Sequence, residues 1–299
     1  MTPQLKTSFA AIALFVGMAH AQNVNVAVSD SWARATVQGQ KATGAFMTLT
    51  AKDGAKLVGV SSPVAGVAEI HEMKMDKDVM KRLLRDAGVP IARFVTVRRH
   101  DKVPYSTIKK ELGLPLFVKP ANMGSSVGVS KVSDEKEFVR AVAVAFKYDT
   151  KILIEECVAG REIECAVLGN EEPRASVAGE LIVQHAFYSY EAKYVDDHGA
   201  VPQIPAQISK RIEKRIQELA VKTFVALGCE GMGRVDFFLR DDGSVVVNEI
   251  NTIPGFTNIS MYPKLWEASG IGYSKLIDIL IQLAIARHKR DAKLKTSFT

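Results

Sequence analysis

The sequence predicts an α/β chain of the α+β kind, built from two large subdomains and preceded by a small β-rich fragment. Three observations carry that expectation. From about residue 76 onward, strand-like and helix-like patterns alternate to the C-terminus. Residues 22 to 75 hold strand-like patterns and no helical stretch. Near the C-terminus, a hairpin pattern carries an Arg, an Asp, a Glu and an Asn on neighbouring strands.

A chain of 299 residues has room for two or three domains. With 47% apolar and 24% charged residues, the composition is that of a globular protein. The net charge of +6 is modest, and part of it sits in the tail Arg287-His288-Lys289-Arg290-Asp291-Ala292-Lys293-Leu294-Lys295. That tail reads as a solvated helix end. It has no interleaved aromatic residues on which bases could stack, so no nucleic-acid partner is expected. The three cysteines, Cys157, Cys165 and Cys229, form no Cys-x-x-Cys pair, and their odd count argues against a disulfide framework. The long second part therefore reads as belonging to a reducing compartment.

The N-terminus points the other way. Lys6 is a positive n-region, residues 9–18 are an apolar h-region, and Ala19-His20-Ala21 is an Ala-x-Ala cleavage site. Residues 1–21 thus read as a secretory signal peptide, too short to span a bilayer. No other stretch is long and apolar enough to cross a membrane, so no membrane partner is expected.

Within 22–75, Val24, Val26 and Val28 alternate with polar residues. Ala45–Thr50, Lys56–Val60 and Val67–His71 read as further strands. The texture changes at Asp76. Asp76–Ala87 reads as a helix with Val79, Leu83 and Leu84 on one face, stopped by Gly88 and Pro90. Leu116–Val118 reads as a buried strand, and Asp134–Ala145 as a helix with Ser133 as N-cap. Strands follow at Lys151–Glu155, Glu164–Leu168 and Ser176–Glu180. Ser209–Leu227 is a long amphipathic helix, Val235–Leu239 and Val245–Ile250 pair across Asp241-Asp242-Gly243, and Lys275–Arg287 is the last helix.

The chemistry concentrates in a few places. Arg234 and Asp236 lie on one hairpin strand, Glu249 and Asn251 on the other. Hard oxygen donors of this kind hold Mg²⁺ against nucleotide phosphates, and an Arg beside them faces charge developing on a transferring phosphoryl or acyl group. Upstream, the strand Leu116–Val118 runs into Lys119, and Gly124-Ser125-Ser126-Val127-Gly128 forms a small flexible loop whose N–H groups can cradle phosphate. Taken singly, each has a plain structural reading: a salt bridge, strand-end polar residues, a turn. Their co-occurrence is the signal.

On Val118-Lys119-Pro120, Gly124-Ser125-Ser126-Val127-Gly128, Tyr190-Glu191-Ala192-Lys193-Tyr194, Gly233-Arg234-Val235-Asp236 and Asn248 through Ser260, residues 76–290 resemble the ATP-grasp part of the D-alanine–D-alanine ligase family. The resemblance implies an ATP-grasp fold with a central subdomain, 76–159, and a C-terminal catalytic subdomain, 160–299. It implies ATP as cosubstrate, two Mg²⁺ ions that Mn²⁺ could replace, D-alanine as substrate, an acyl-phosphate route to the dipeptide for peptidoglycan precursors, and a tendency to homodimerise. Lys77 and Lys119 match lysines on the ATP phosphates, Glu155, Glu156 and Val158 the adenine hinge, and Glu162 the ribose acid. Ser125 matches a serine covering the reacting phosphoryl group, and Lys193 and Tyr194 a loop that closes over the site. Arg234 matches the arginine on the tetrahedral intermediate, and Asp236, Glu249 and Asn251 the Mg²⁺ ligands. Gly255 and Ser260 match the site of the second D-alanine, and Tyr194 resembles the D-alanine-accepting rather than the D-lactate type.

Residues 1–80 resemble the start of a periplasmic copper-chaperone family. The resemblance rests on Asp30-Ser31-Trp32-Ala33-Arg34-Ala35-Thr36, Ala42-Thr43-Gly44-Ala45-Phe46-Met47 and Glu69-Ile70-His71-Glu72-Met73-Lys74-Met75. It implies a partial β-sandwich over 22–75, with His71 as a vestigial copper ligand. The family's next ligand, a Met, would fall where Arg82 stands, and its His-x-Met where Pro104-Tyr105-Ser106 stands. Met73, Met75 and Met80 read as packing residues, with weak copper scavenging beside His71 as the alternative. The ligase family also carries an N-terminal domain whose acid orients the first D-alanine, and nothing in 1–75 resembles it. The expectation is a chimera joined near residues 75–81. An ATP-binding but catalytically dead chain and a Cu(I) chaperone fragment are the alternatives to a working ligase. Location is contradictory: ligase chemistry implies the cytoplasm, the leader implies the periplasm.

Overall fold

A computed structural model describes residues 26–33, 45–51, 76–124, 126–183, 200–257 and 260–294. The chain divides into two compact units, Met1–Met73 and Lys74–Thr299.

In the first unit, β1 (Val26–Ala33) pairs antiparallel with β2 (Ala45–Ala51), with Val28 opposite Leu49 and a register shift between Ser29 and Trp32. The signal peptide, the strands expected at 56–60 and 67–71, and His71 lie outside the described residues.

The second unit begins with α1 (Lys77–Asp86), capped by Asp76, whose carboxylate accepts from the N–H groups of Asp78 and Val79. Next comes a four-stranded antiparallel sheet of β3 (Phe94–Arg98), β4 (Leu116–Pro120), β5 (Ser130–Val132) and β6 (Lys151–Glu156), in the order β3-β6-β4-β5. Two helices, α2 (Tyr105–Leu112) and α3 (Glu135–Tyr148), seal one face of it, burying Val97, Ile108, Leu116, Val118, Phe138, Ile152 and Ile154. Side chains alternate along a strand, so Phe117 and Lys119 of β4 point to the opposite face. Phe94, Glu155 and Phe117 lie abreast on that face, because each is a register partner of Glu155 or is Glu155 itself.

Across that face lies α1. Its buried residues are Lys77, Asp78, Lys81 and Leu84, whereas Val79 and Leu83 are about half exposed. The expected apolar face is thus corrected to a stripe at 77, 81 and 84. Asp78 accepts from the Thr96 hydroxyl at 2.7 Å, and Lys151 bonds Asp76 at 2.5 Å and Asp78 at 3.1 Å. Polar partners on the sheet, rather than hydropathy, decide which way the helix turns. The α3 cap is also corrected. Asp134, not Ser133, accepts from the Glu137 N–H at 2.7 Å, and the Glu137 carboxylate accepts from the Ser133 N–H at 2.8 Å, a reciprocal capping arrangement.

The second sheet has five antiparallel strands: β7 (Arg161–Gly169), β8 (Arg174–Val183), β9 (Ala200–Gln203), β10 (Gly231–Leu239) and β11 (Val245–Asn251). Their order is β11-β10-β7-β8-β9. One face packs on α4 (Lys210–Ala226), where Ile163, Cys165, Val235, Phe237 and Val247 meet Ile216, Leu219 and Phe224. Leu84 and Val89 join this core, and Met80 packs against it. On the other face, α5 (Met261–Ala268) and α6 (Tyr273–Asp291) cover Ala166 and Leu168 with Tyr262, Leu265, Trp266 and Leu276. The segment after α1 is stitched to this sheet by the Val247 N–H donating to the Pro90 carbonyl at 2.8 Å. No single described helix is long and apolar enough to cross a membrane.

Candidate functional site

The uncovered end of the second sheet carries the charged residues. On β10, Val235, Phe237 and Leu239 enter the core, so Arg234 and Asp236 face outward on the side that α5 and α6 leave open. Across the ladders, Asp236 is opposite both Glu249 on β11 and Glu164 on β7, and Arg234 is opposite Asn251. A register shift between Asp236 and Phe237 lets Glu249 share the Asp236 face while Val247 returns to the core. The Arg234 guanidinium grips Asp236 with two bonds, 2.7 and 2.8 Å, and reaches Glu164 at 3.0 Å. The Asn251 amide donates to the same Asp236 carboxylate at 2.9 Å. Burial opposes the Arg234 charge, but Asp236, then Glu164 and Glu249, outweigh it and raise its pKa.

Facing this patch are lysines of the first sheet and α1. Lys119 and the buried Lys81 both ion-pair with the Glu155 carboxylate. Burial alone would raise the Glu155 pKa, yet the charges of Lys119 and Lys81 hold it down at about 2. Lys77 donates to the Met123 carbonyl, and its own N–H bonds the Ala121 carbonyl at 2.9 Å, fixing it against the Gly124–Gly128 loop. Burial lowers the Lys77 pKa most strongly, with Glu249 acting the other way. That attraction links the acidic patch of one sheet to the basic patch of the other.

The loop between β4 and β5 turns tightly. Ser126 and Gly128 have φ of +60° and +71°, and a Cβ at Gly128 would meet Tyr148 at 2.7 Å and Pro120 at 2.9 Å. After β11, the Ser260 hydroxyl accepts from the Thr257 N–H at 3.0 Å and lies 3.0 Å from where a Gly255 Cβ would be, so those two residues sit together. Glu156 is turned away from Glu155: its carboxylate accepts from the Arg93 N–H at 3.0 Å and pairs with the Arg93 guanidinium at 2.7 Å. Val158 follows in the segment leading to β7, and Glu162 lies on the outward face beside Glu164. Ser125, Lys193 and Tyr194 lie outside the described residues.

Sequence reasoning missed Lys81 and Glu164. The signal for Lys81 was its spacing of one helical turn from Lys77. For Glu164 it was the period-two alternation from Glu162. A wide groove of about 1190 Å³ runs along Pro90, Arg93, the first turns of α4 and the β10–β11 turn, and shares only Glu156 with the expected site. The convergent chemistry is not there.

The donor set fits Mg²⁺ in a particular way. Among the described residues no three His, Cys, Asp or Glu side chains converge as a metal cage. Asp236, Glu249 and Asn251 supply a few hard oxygens on adjacent strands, which is how Mg²⁺ is held when substrate phosphates complete its shell.

Residues 83–282, well over half of the chain, match the family described as D-ala D-ala ligase C-terminus, and the chain belongs to that family. Its two antiparallel sheets with this site between them are an ATP-grasp fold. The D-alanine–D-alanine ligase of Oceanobacillus iheyensis is 56% identical over 240 residues, covering 80% of this chain and 64% of that one. The solved ligase of Coxiella burnetii superposes with a TM-score of 0.65 at 43% identity, covering 73% of this chain and 59% of that chain. The Bacillus anthracis ligase complexed with ATP has a TM-score of 0.61 at 27% identity, covering 73% and 68%. The chain therefore spans about 64% of the length of the Oceanobacillus relative. Residues 26–100 match an LpqE-like lipoprotein family, overlapping the ligase match at 83–100.

Proposed function

We propose that this chain carries out ATP-dependent ligation of two D-alanines through an acyl phosphate, in peptidoglycan precursor synthesis. The observation that carries the reading is the Arg234–Asp236–Glu249–Asn251 patch, with Glu249 near enough to Lys77 to act on its charge and Lys119 beside Lys77. A carboxylate is a poor electrophile until phosphorylated, and both phosphoryl transfer and amine attack build negative charge. Lys77 and Lys119 neutralise the ATP phosphates, with the Ser125 loop covering the transferred group. Glu155, Glu156 and Val158 form the adenine hinge, and Glu162 takes the ribose. Arg234 stabilises the tetrahedral intermediate, while Gly255 and Ser260 hold the second D-alanine. Lys193 and Tyr194 close over the site and exclude water, which would hydrolyse the acyl phosphate. Asp236, Glu249 and Asn251 would hold two Mg²⁺ ions, which neutralise phosphate charge; Mn²⁺ would serve in their place.

The test is D-alanine-dependent phosphate release from Mg²⁺-ATP by the full chain. Release that disappears in Glu249→Gln supports the ligase. ATP binding without release supports the alternative, an ATP-binding but catalytically dead chain.

Under the same proposal, 76–159 is the central and 160–299 the catalytic subdomain, the protein acts in the cytoplasm, and it forms a homodimer. Residues 1–21 are a signal peptide, in conflict with that location. Residues 22–75 are a copper-chaperone-like β fragment with His71 as its remnant ligand; the LpqE-like match over 26–100 supports a lipoprotein-like relationship for this part of the chain. Size-exclusion chromatography with light scattering tests the dimer, and the N-terminal residue of the purified protein tests the leader.

A further inference from the structure

A lysine with 1% of its side chain exposed is an unusual thing to place on an amphipathic helix. Lys81 has that position on α1, one turn after Lys77 and one before Leu84, in the buried stripe. Its ammonium meets the Glu155 carboxylate and lies 5.9 Å from the centre of the Phe94 ring. The second Glu155 oxygen meets Lys119. An apolar side chain of similar length would fill the same space without the desolvation cost, and buried ion pairs are often no more stabilising than such a replacement. Packing alone therefore does not explain why position 81 is a lysine.

The geometry of the sheet does. Glu155 and Lys119 come from neighbouring antiparallel strands, β6 and β4, and their side chains pair on the face that α2 and α3 leave free. Lys81 reaches down from α1 and holds one oxygen of Glu155, leaving the other for Lys119. We propose that Lys81 is a positioning residue for the nucleotide site, acting through Glu155 to hold Lys119 where it meets the phosphates of ATP.

This rests on the nucleotide-binding reading above. With Lys81 removed, Glu155 keeps one cation instead of two in a buried place, so its carboxyl titrates at higher pH. Once protonated it no longer anchors Lys119 by charge. ATP affinity then acquires a dependence on pH in addition to the one the native protein shares through the titrating phosphate of ATP.

The experiment uses the full chain and three variants, Lys81→Met, Glu155→Gln and the double variant. Three quantities are measured on each: ATP binding by calorimetry from pH 5.5 to 8, the thermal midpoint, and the ¹³C titration of the Glu155 carboxyl, assigned by its loss in Glu155→Gln. The expected result is folded Lys81→Met protein with ATP binding weaker by about tenfold and weakening further as pH falls. Its Glu155 titration moves upward, and Lys81→Met has no further effect on binding in the Glu155→Gln background. Native-like ATP binding by Lys81→Met at every pH, or equal losses in both backgrounds, overturns the proposal. If the native chain binds no ATP, the nucleotide reading fails by itself, and an unmoved Glu155 titration still overturns the Lys81–Glu155 link.

Discussion

Asp236 stands directly opposite Glu249 across the β10–β11 ladder, and the register shifts at the next residue. Like charges facing each other on adjacent strands are destabilising, so a fold that keeps them there relies on cations nearby. In this structure Arg234 supplies one, bonded to Asp236 through Nε and Nη2 at 2.7 and 2.8 Å. Glu249 is balanced at longer range by Arg234, Lys77 and Lys81.

Neutralising Glu249 should therefore separate stability from function. Glu249→Gln is expected to leave the thermal midpoint unchanged or slightly higher, since a repulsion is relieved. Mg²⁺-dependent turnover of ATP should fall about 100-fold or more. Calorimetric unfolding and a phosphate-release assay on the same preparation check both parts.

Removing Arg234 should do the reverse to stability. Its side chain is 20% exposed, and Arg234→Met leaves Asp236 and Glu164 without their shared cation. Breaking a partly buried, hydrogen-bonded pair from one side costs about 1–3 kcal/mol, and denaturant unfolding should show it. The double change Arg234→Met with Asp236→Leu is expected to recover part of the loss.

Acid should weaken the fold through Glu155. Burial works to raise this carboxyl, but Lys119 and Lys81 hold it at about 2 in the folded chain against an ordinary 4.5. A depressed folded pKa means the stabilisation is complete above about pH 4.5 and is lost as pH falls toward 2. Unfolding free energy measured from pH 6 to 3 should drop less steeply in Glu155→Gln than in the native chain.

The loop between β4 and β5 depends on Gly128. With φ at +71° and a Cβ position 2.7 Å from Tyr148, Gly128→Ala is strained in the backbone and collides with a ring. We expect a loss of about 1–3 kcal/mol. Gly124→Ala meets nothing within 4 Å and serves as the control in the same denaturation series.

The α3 cap gives a local test of the corrected assignment. Asp134→Ala should cost about 1 kcal/mol, whereas Ser133→Ala should cost little, because only Asp134 accepts from the helix, at the Glu137 N–H. Thermal unfolding of the two single variants distinguishes them.

The sequence by itself determined the main elements and the strands on which the charged residues of the hairpin sit. The Val235–Leu239 and Val245–Ile250 hairpin, the long helix after Ser209 and the strand ending at Lys119 were legible because period-two and period-3.6 patterns are local properties of the chain. So was the charged set on the hairpin, since alternation puts Arg234 and Asp236 on one face. Short elements with mixed patterns, such as β3, β5 and α2, were not legible, because partners far along the chain make them. Only the tertiary structure decided that α1 turns Lys81 rather than Val79 and Leu83 inward. Hydropathy ranks residues by their affinity for water. It does not register that Glu155, Thr96 and Lys151 wait on the opposing sheet to receive Lys81, Asp78 and Asp76. A buried charge is stable only where a distant partner meets it, and the residues that supply that partner are brought together by folding.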